Sequence, residues 1–123
     1  PKAAGVTGMR EILSKIAESG KSSFLAVLKM FGGENQNLLS FPIEGYTLTL
    51  DFKMNSETVA LIKELDAVVV DLGGRIYLTK DALMSEQTFK VTYPKWEQFE
   101  KIREKYGAIG RFESDQSKRL GLL

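Results

Sequence analysis

"YTLTLDFKM", residues 46–54, is the stretch on which the fold turns. Tyr46, Leu48, Leu50, Phe52 and Met54 fall on one face, and Thr47, Thr49, Asp51 and Lys53 on the other. A period of two predicts a strand with one side against a core. Downstream, Asn55 or Ser56 can cap a helix. The stripe Val59, Ile62, Leu65, Val69 and Leu72 gives that helix a buried side, and Gly73 and Gly74 end it. Upstream, "SSFLAVLKMF", 22–31, is apolar on both faces until Lys29, which predicts a largely buried strand. The Gly- and Asn-rich stretch 32–45 is a loop, long for a hairpin connection and for that reason a candidate functional loop.

Working outward, Met9, Ile12, Leu13, Ile16 and Ala17 follow helical spacing, and Gly20 is placed to stop the helix. "RIYLT", 75–79, predicts a short strand, and Asp81 a capped helical turn through Met84. Pro94 suits the first turn of a further helix. Trp96, Phe99, Ile102 and Tyr106 give that helix its apolar face, and Gly107 closes it. Ser114 caps a last short helix ending near Leu120. The order α-β-β-α-β, then helices, is the split βαβ pattern without its first strand. The expected class is α+β: an antiparallel sheet with helices on one face, a ferredoxin-like piece. A start at Pro1 instead of Met is consistent with an excised segment. A sheet lacking a strand exposes unpaired backbone, so such a fragment is expected to self-associate.

Composition narrows the chemistry. The chain has 123 residues, 43% hydrophobic and 27% charged, as expected of a soluble globular domain able to bury a core. A net charge of +1 gives no field of the kind nucleic-acid binding needs. There is no apolar run of membrane length and no signal peptide. The lack of Cys fits a reducing compartment, and the cytoplasm is preferred over a periplasmic or membrane-associated location. The lack of His removes the commonest general base and metal ligand, so no metal site is expected. Chemistry is left to Lys, Tyr, carboxylates or a cofactor that performs the hard step itself.

Several residues have two readings. Lys29, interrupting an apolar strand, either snorkels at a strand end or is a fixed cation for a phosphate or carboxylate. Thr47 and Thr49 either serve strand propensity or offer hydroxyls from the floor of a pocket. Tyr77 and Lys80 point to opposite faces if the strand runs on, and converge if the chain turns at Thr79. The loop "GENQN" leads into a strand, not a helix, which argues against a phosphate-binding loop. The basic "SKRLGLL" end reads as a solvated helix face, and the row from Trp96 to Tyr106 as core. From the residues alone, a stand-alone ferredoxin-like binding module without catalysis remains open beside an enzyme fragment.

The segments "SFLAVLKMFG", "NQNLLSFPIEGYTLTLDF", "LGGRIYLTKDALMSEQTF", "YPKWEQFEKIREKYG" and "FESDQSKRLGL" carry a resemblance along nearly the whole chain. They resemble the C-terminal portion of the decaprenylphosphoryl-β-D-ribose oxidase flavin-subunit family, FAD-linked oxidoreductases of the vanillyl-alcohol-oxidase type. The resemblance implies that residues 1–74 complete a substrate-binding domain and that 75–123 return to a flavin domain lying mostly upstream. It implies FAD as cofactor and oxidation of a sugar or polyol hydroxyl. In the family this is the 2′-hydroxyl of a polyprenyl-phosphoryl ribose, and a separate NAD-dependent reductase completes the epimerisation to arabinose, a bacterial cell-wall precursor. By the same match, Lys29, Phe31, Thr47 and Thr49 fall on substrate-binding positions, Tyr77 on a catalytic one, and Lys80 on a catalytic and flavin-contacting one. Thr47 stands where mycobacterial members carry Asn, and Thr49 where they carry Cys. Both departures bear on substrate choice.

Overall fold

A computed structural model describes residues 1–122. After a 3₁₀ turn (Lys2–Ala4) come α1 (Gly5–Glu18), β1 (Ala26–Phe31), β2 (Gly45–Leu50), α2 (Ser56–Asp71), α3 (Glu86–Thr92), α4 (Trp96–Lys105) and α5 (Asp115–Arg119). The class is α+β, and the sheet is an antiparallel pair of strands. Its register sets Leu28 against Leu48, Lys29 against Thr47 and Val27 against Thr49. The loop between the strands is tied down by Arg75. Its Nε donates to the Thr92 carbonyl (2.9 Å), and its Nη1 donates to the Ser40 carbonyl (2.8 Å) and pairs with Glu34 (2.8 Å).

The helix ends follow local chemistry. The Asn55 side chain accepts the Thr58 N–H (2.9 Å) and starts α2. Ser85 does the same for α3 and Ser114 for α5, the latter in a reciprocal capping box with Ser117. Two glycines let α1 lie close to its neighbours. A Cβ on Gly5 would stand 2.6 Å from the Tyr46 ring, and one on Gly8 2.7 Å from Leu72 Cδ1.

The observed chain departs from the sequence expectation at several points. The strand expected over 22–31 begins only at Ala26 and is not buried: Leu28 and Met30 are 61% and 72% exposed. It is an outer strand of a two-stranded sheet, so one long edge and much of both faces lack cover. The second strand stops at Leu50, not Met54, because β1 offers no partner beyond Ala26. Ser23 Oγ takes over there, accepting the Asp51 N–H (2.9 Å), with its own proton directed to the Leu25 carbonyl (2.5 Å) and the Asp51 carbonyl 3.1 Å away.

"RIYLT" is not a strand. Its carbonyls are taken by side chains instead of a neighbouring strand: Tyr93 Oη donates to Ile76 O (2.7 Å) and Gln116 Nε2 to Leu78 O (2.6 Å). Asp81 does act as a cap, accepting the N–H groups of Leu83 (2.9 Å) and Met84 (2.7 Å), but no helix follows until α3, which the apolar pattern did not reveal.

The apolar core lies in the C-terminal half. Met84, Phe89, Tyr93, Leu120 and Leu122 are buried together, with Ile76, Leu78, Trp96 and Phe99 packed around them. The row expected as the apolar face of α4 therefore divides: Trp96 and Phe99 join the core, while Ile102 and Tyr106 run past it into solvent. On α2, Thr58, Leu61 and Val68 are the buried residues. The stripe expected to be buried is only half-buried, and Ile62, Leu65 and Val69 from it face an open cleft.

Candidate functional site

The cleft has a volume of about 400 Å³ and runs between α1, β2, α2 and the segment from Gly74 to Leu83. Met9 and Ile12 wall it from α1, and Ile62, Leu65 and Val69 from α2. Its polar groups are few: Tyr46, Thr47 and Thr49 from β2, Asp51 just beyond it, Asp66 from α2, and Arg75, Tyr77, Lys80 and Asp81 from the last segment. Apolar walls with a few convergent polar groups are the usual form of a small-molecule site.

The sheet register explains how the strand residues come together. Residues opposite each other share a face, so Lys29, Phe31, Thr47 and Thr49 lie on one side of the hairpin, and Asp51 continues the alternation. Tyr77 and Lys80 reach the same side because the chain turns over Leu78–Lys80, closed by Lys80 N–H donating to Tyr77 O (3.0 Å). With this turn both side chains border the cleft, where a straight strand would have pointed them to opposite faces.

Two contacts join the segments. Phe41 packs between Phe31 (ring centroids 6.0 Å apart, edge-on) and Tyr77 (4.7 Å). Lys80 Nζ lies 3.2 and 3.4 Å from the two Asp51 carboxylate oxygens. Sequence reasoning missed Phe41. The only signal was its place in an unusually long loop, and an aromatic there has no periodicity to betray it. Phe31, Thr47, Thr49, Tyr77 and Lys80 all border the cleft. Lys29 does not: it stands exposed on the outer strand, with no acidic partner among the described residues.

The carboxylates around Lys80 differ in state. Asp81, almost wholly buried, is paired with Arg119 (2.8 Å). Asp66 makes no ion pair among the described residues, and its pKa is pushed up to about 6, first by burial and then by the negative charge of Asp81. Tyr93, below the site, is pushed up to about 12, chiefly by burial. The cleft can therefore hold a largely apolar or ring-shaped molecule, offer it hydroxyls from one strand face, and set one lysine ammonium at its mouth.

Comparison with known proteins gives this geometry a context. A family model described as D-arabinono-1,4-lactone oxidase matches residues 45–120. The decaprenylphosphoryl-β-D-ribose oxidase of Mycolicibacterium smegmatis (strain ATCC 700084 / mc(2)155) is 39% identical over 118 residues, which cover 96% of this chain and 26% of that protein. An uncharacterized protein in the mprA 5′ region of Streptomyces coelicolor is 31% identical over 115 residues, covering 93% of this chain and 31% of that protein. The chain thus spans between a quarter and a third of the length of these relatives.

Proposed function

The chain belongs to the D-arabinono-1,4-lactone oxidase family, and from that premise we propose that it forms the substrate side of an FAD-dependent oxidoreductase acting on a sugar CH–OH group. The observation that carries this reading is the gathering of Thr47, Thr49, Tyr77 and Lys80 at one apolar cleft. The family model and the 39% identical relative are both named for oxidases of pentose derivatives, one a lactone and the other a lipid-linked ribose. A polyprenyl-phosphoryl pentose is the substrate class we favour, with an NAD-dependent reductase as a partner enzyme. We further propose the division at 74/75, with the substrate part before it and a flavin-contacting part after it.

The residues present fit one end of a flavin. Tyr77 offers a ring and a hydroxyl, Phe31 and Phe41 an apolar edge, and Lys80 a cation. The sequence has no G-x-G-x-x-G fingerprint, so the pyrophosphate is assigned to chain outside this segment. FAD, when bound, supplies the two-electron acceptor for the hydrogen leaving the sugar carbon. The chain's own residues do the rest. Thr47 and Thr49 hydrogen-bond sugar hydroxyls and fix which carbon faces the acceptor. Tyr77 orients the reacting hydroxyl, and the aromatic row behind it keeps water out. Lys80 sets a positive charge where negative charge gathers as electrons arrive. Lys29, outside the cleft and exposed, is positioned for the phosphate of a substrate that extends beyond it.

The test is anaerobic bleaching, by candidate substrates, of the flavin in a longer protein that carries this segment together with the proposed upstream flavin domain. Polyprenyl-phosphoryl ribose or arabinose should bleach the flavin within the dead time of manual mixing. Bleaching by a free pentose lactone but not by the lipid-linked sugar would move the reading to the lactone class. Bleaching by neither would sink it.

A further inference from the structure

We infer that Asp51 is a positioning residue for Lys80: it holds the ammonium against the polar face of β2 and acts on the reaction only through that lysine. The role of Lys80 rests on the reading just given; the role of Asp51 rests on geometry.

Asp51 sits one residue past the end of β2, in phase with Thr47 and Thr49. Its N–H donates to Ser23 Oγ (2.9 Å), whose single proton is shared unequally between the Leu25 carbonyl (2.5 Å) and the Asp51 carbonyl (3.1 Å). The short Asp51 side chain is 28% exposed beside the sheet, whereas the long Lys80 side chain has more freedom. Lys80 lies at the end of an exposed turn, and its side chain is 53% exposed. A four-carbon stem in such a place samples many rotamers unless something selects one.

Only Asp51 makes that selection among the described residues. The neighbouring Asp81 is turned inward, bound to Arg119 and to the N–H groups of Leu83 and Met84. Asp66 makes no ion pair with Lys80. An exposed ion pair of this kind adds little to stability, so holding the fold is not a sufficient account of it. Its consequence is directional: it draws the ammonium across from the turn to the strand that carries Thr47 and Thr49.

The experiment is a double-mutant cycle on anaerobic flavin reduction in the FAD-loaded longer protein that carries this segment and the proposed upstream flavin domain, using Asp51→Asn, Asp51→Glu, Lys80→Met and the Asp51→Asn/Lys80→Met pair. Asp51→Asn should slow reduction about tenfold, the cost of a misplaced group. It should have no effect once Lys80 is Met, and Asp51→Glu should recover most of the rate. A second readout needs no flavin: a zero-length carbodiimide cross-link between Asp51 and Lys80 in the 123-residue chain, found by peptide mass. Slowing by the same factor in both backgrounds, no slowing with Lys80 intact, or no cross-link would each overturn the inference. If Lys80→Met itself is silent, the role given to Lys80 under the proposed function fails, and this inference with it. If Lys80→Met is slow but Asp51→Asn is not, this inference alone fails.

Discussion

Lys80 and Asp66 line the same cleft with opposite consequences for stability. Lys80 is half-exposed, so its ion pair contributes about 1 kcal/mol or less to folding. Its proposed role is in the reaction, where losing one preorganised donor raises a barrier by about 2–4 kcal/mol. Lys80→Met should therefore slow anaerobic flavin reduction about 100- to 1,000-fold while leaving the urea midpoint almost unchanged. Asp66 works the other way. Its folded pKa is raised, to about 6 from 3.8, so the folded state favours the protonated carboxyl. That contribution is complete below pH 3.8, is lost as pH rises toward about 6, and stays lost above it. Asp66→Asn removes the ionisation. The variant should gain stability over wild type between pH 5 and pH 8, on the order of 1 kcal/mol after allowance for solvent, as measured by urea unfolding at the two pH values.

At the level of elements, the segment 75–80 shows how a strand-like sequence becomes something else. It runs irregularly into the turn at Leu78–Lys80, and two of its carbonyls are held by Tyr93 from the end of α3 and by Gln116 from α5. Helix side chains thus aim the turn that presents Tyr77 and Lys80. Tyr93→Phe keeps the ring in the core but leaves the Ile76 carbonyl without that donor. The expected loss is about 1–3 kcal/mol, read as a lower urea midpoint. Flavin reduction should slow as well, because the turn loses an anchor. Unchanged stability would mean that the segment is held by packing alone.

At the level of the whole molecule, the cover is uneven. The C-terminal half encloses its core, whereas the hairpin leaves Phe24, Leu28 and Met30 strongly exposed on or beside an outer strand. Unpaired strand edges next to apolar side chains are adhesive. The isolated chain is expected to form dimers or larger species at micromolar concentration, and light scattering that returns a monomer throughout would show that the edge is protected. The same chain is expected not to retain FAD. After mixing and desalting, the protein fraction should be colourless, and stoichiometric flavin absorbance would refute the assignment of the pyrophosphate site to other parts of the protein.

Much of this was legible locally. The alternation over 46–50, the caps at Asn55 and Ser114 and the stops at Gly20, Gly73 and Gly107 are properties of a few neighbouring residues, and periodicity reads such properties directly. The resemblance likewise pointed to five residues that border the cleft. Tertiary structure decided what depends on partners distant in sequence. Whether "RIYLT" is a strand depends on what meets its carbonyls, and the donors sit 17 and 38 residues away. Whether β1 and the α2 stripe are buried depends on how many strands the sheet has, which alternation within one strand does not encode. The joining contacts, Phe41 to Tyr77 and Asp51 to Lys80, have no sequence signature, because an aromatic in a loop and a carboxylate at a strand end gain meaning only when the turn at Thr79 brings their partners across.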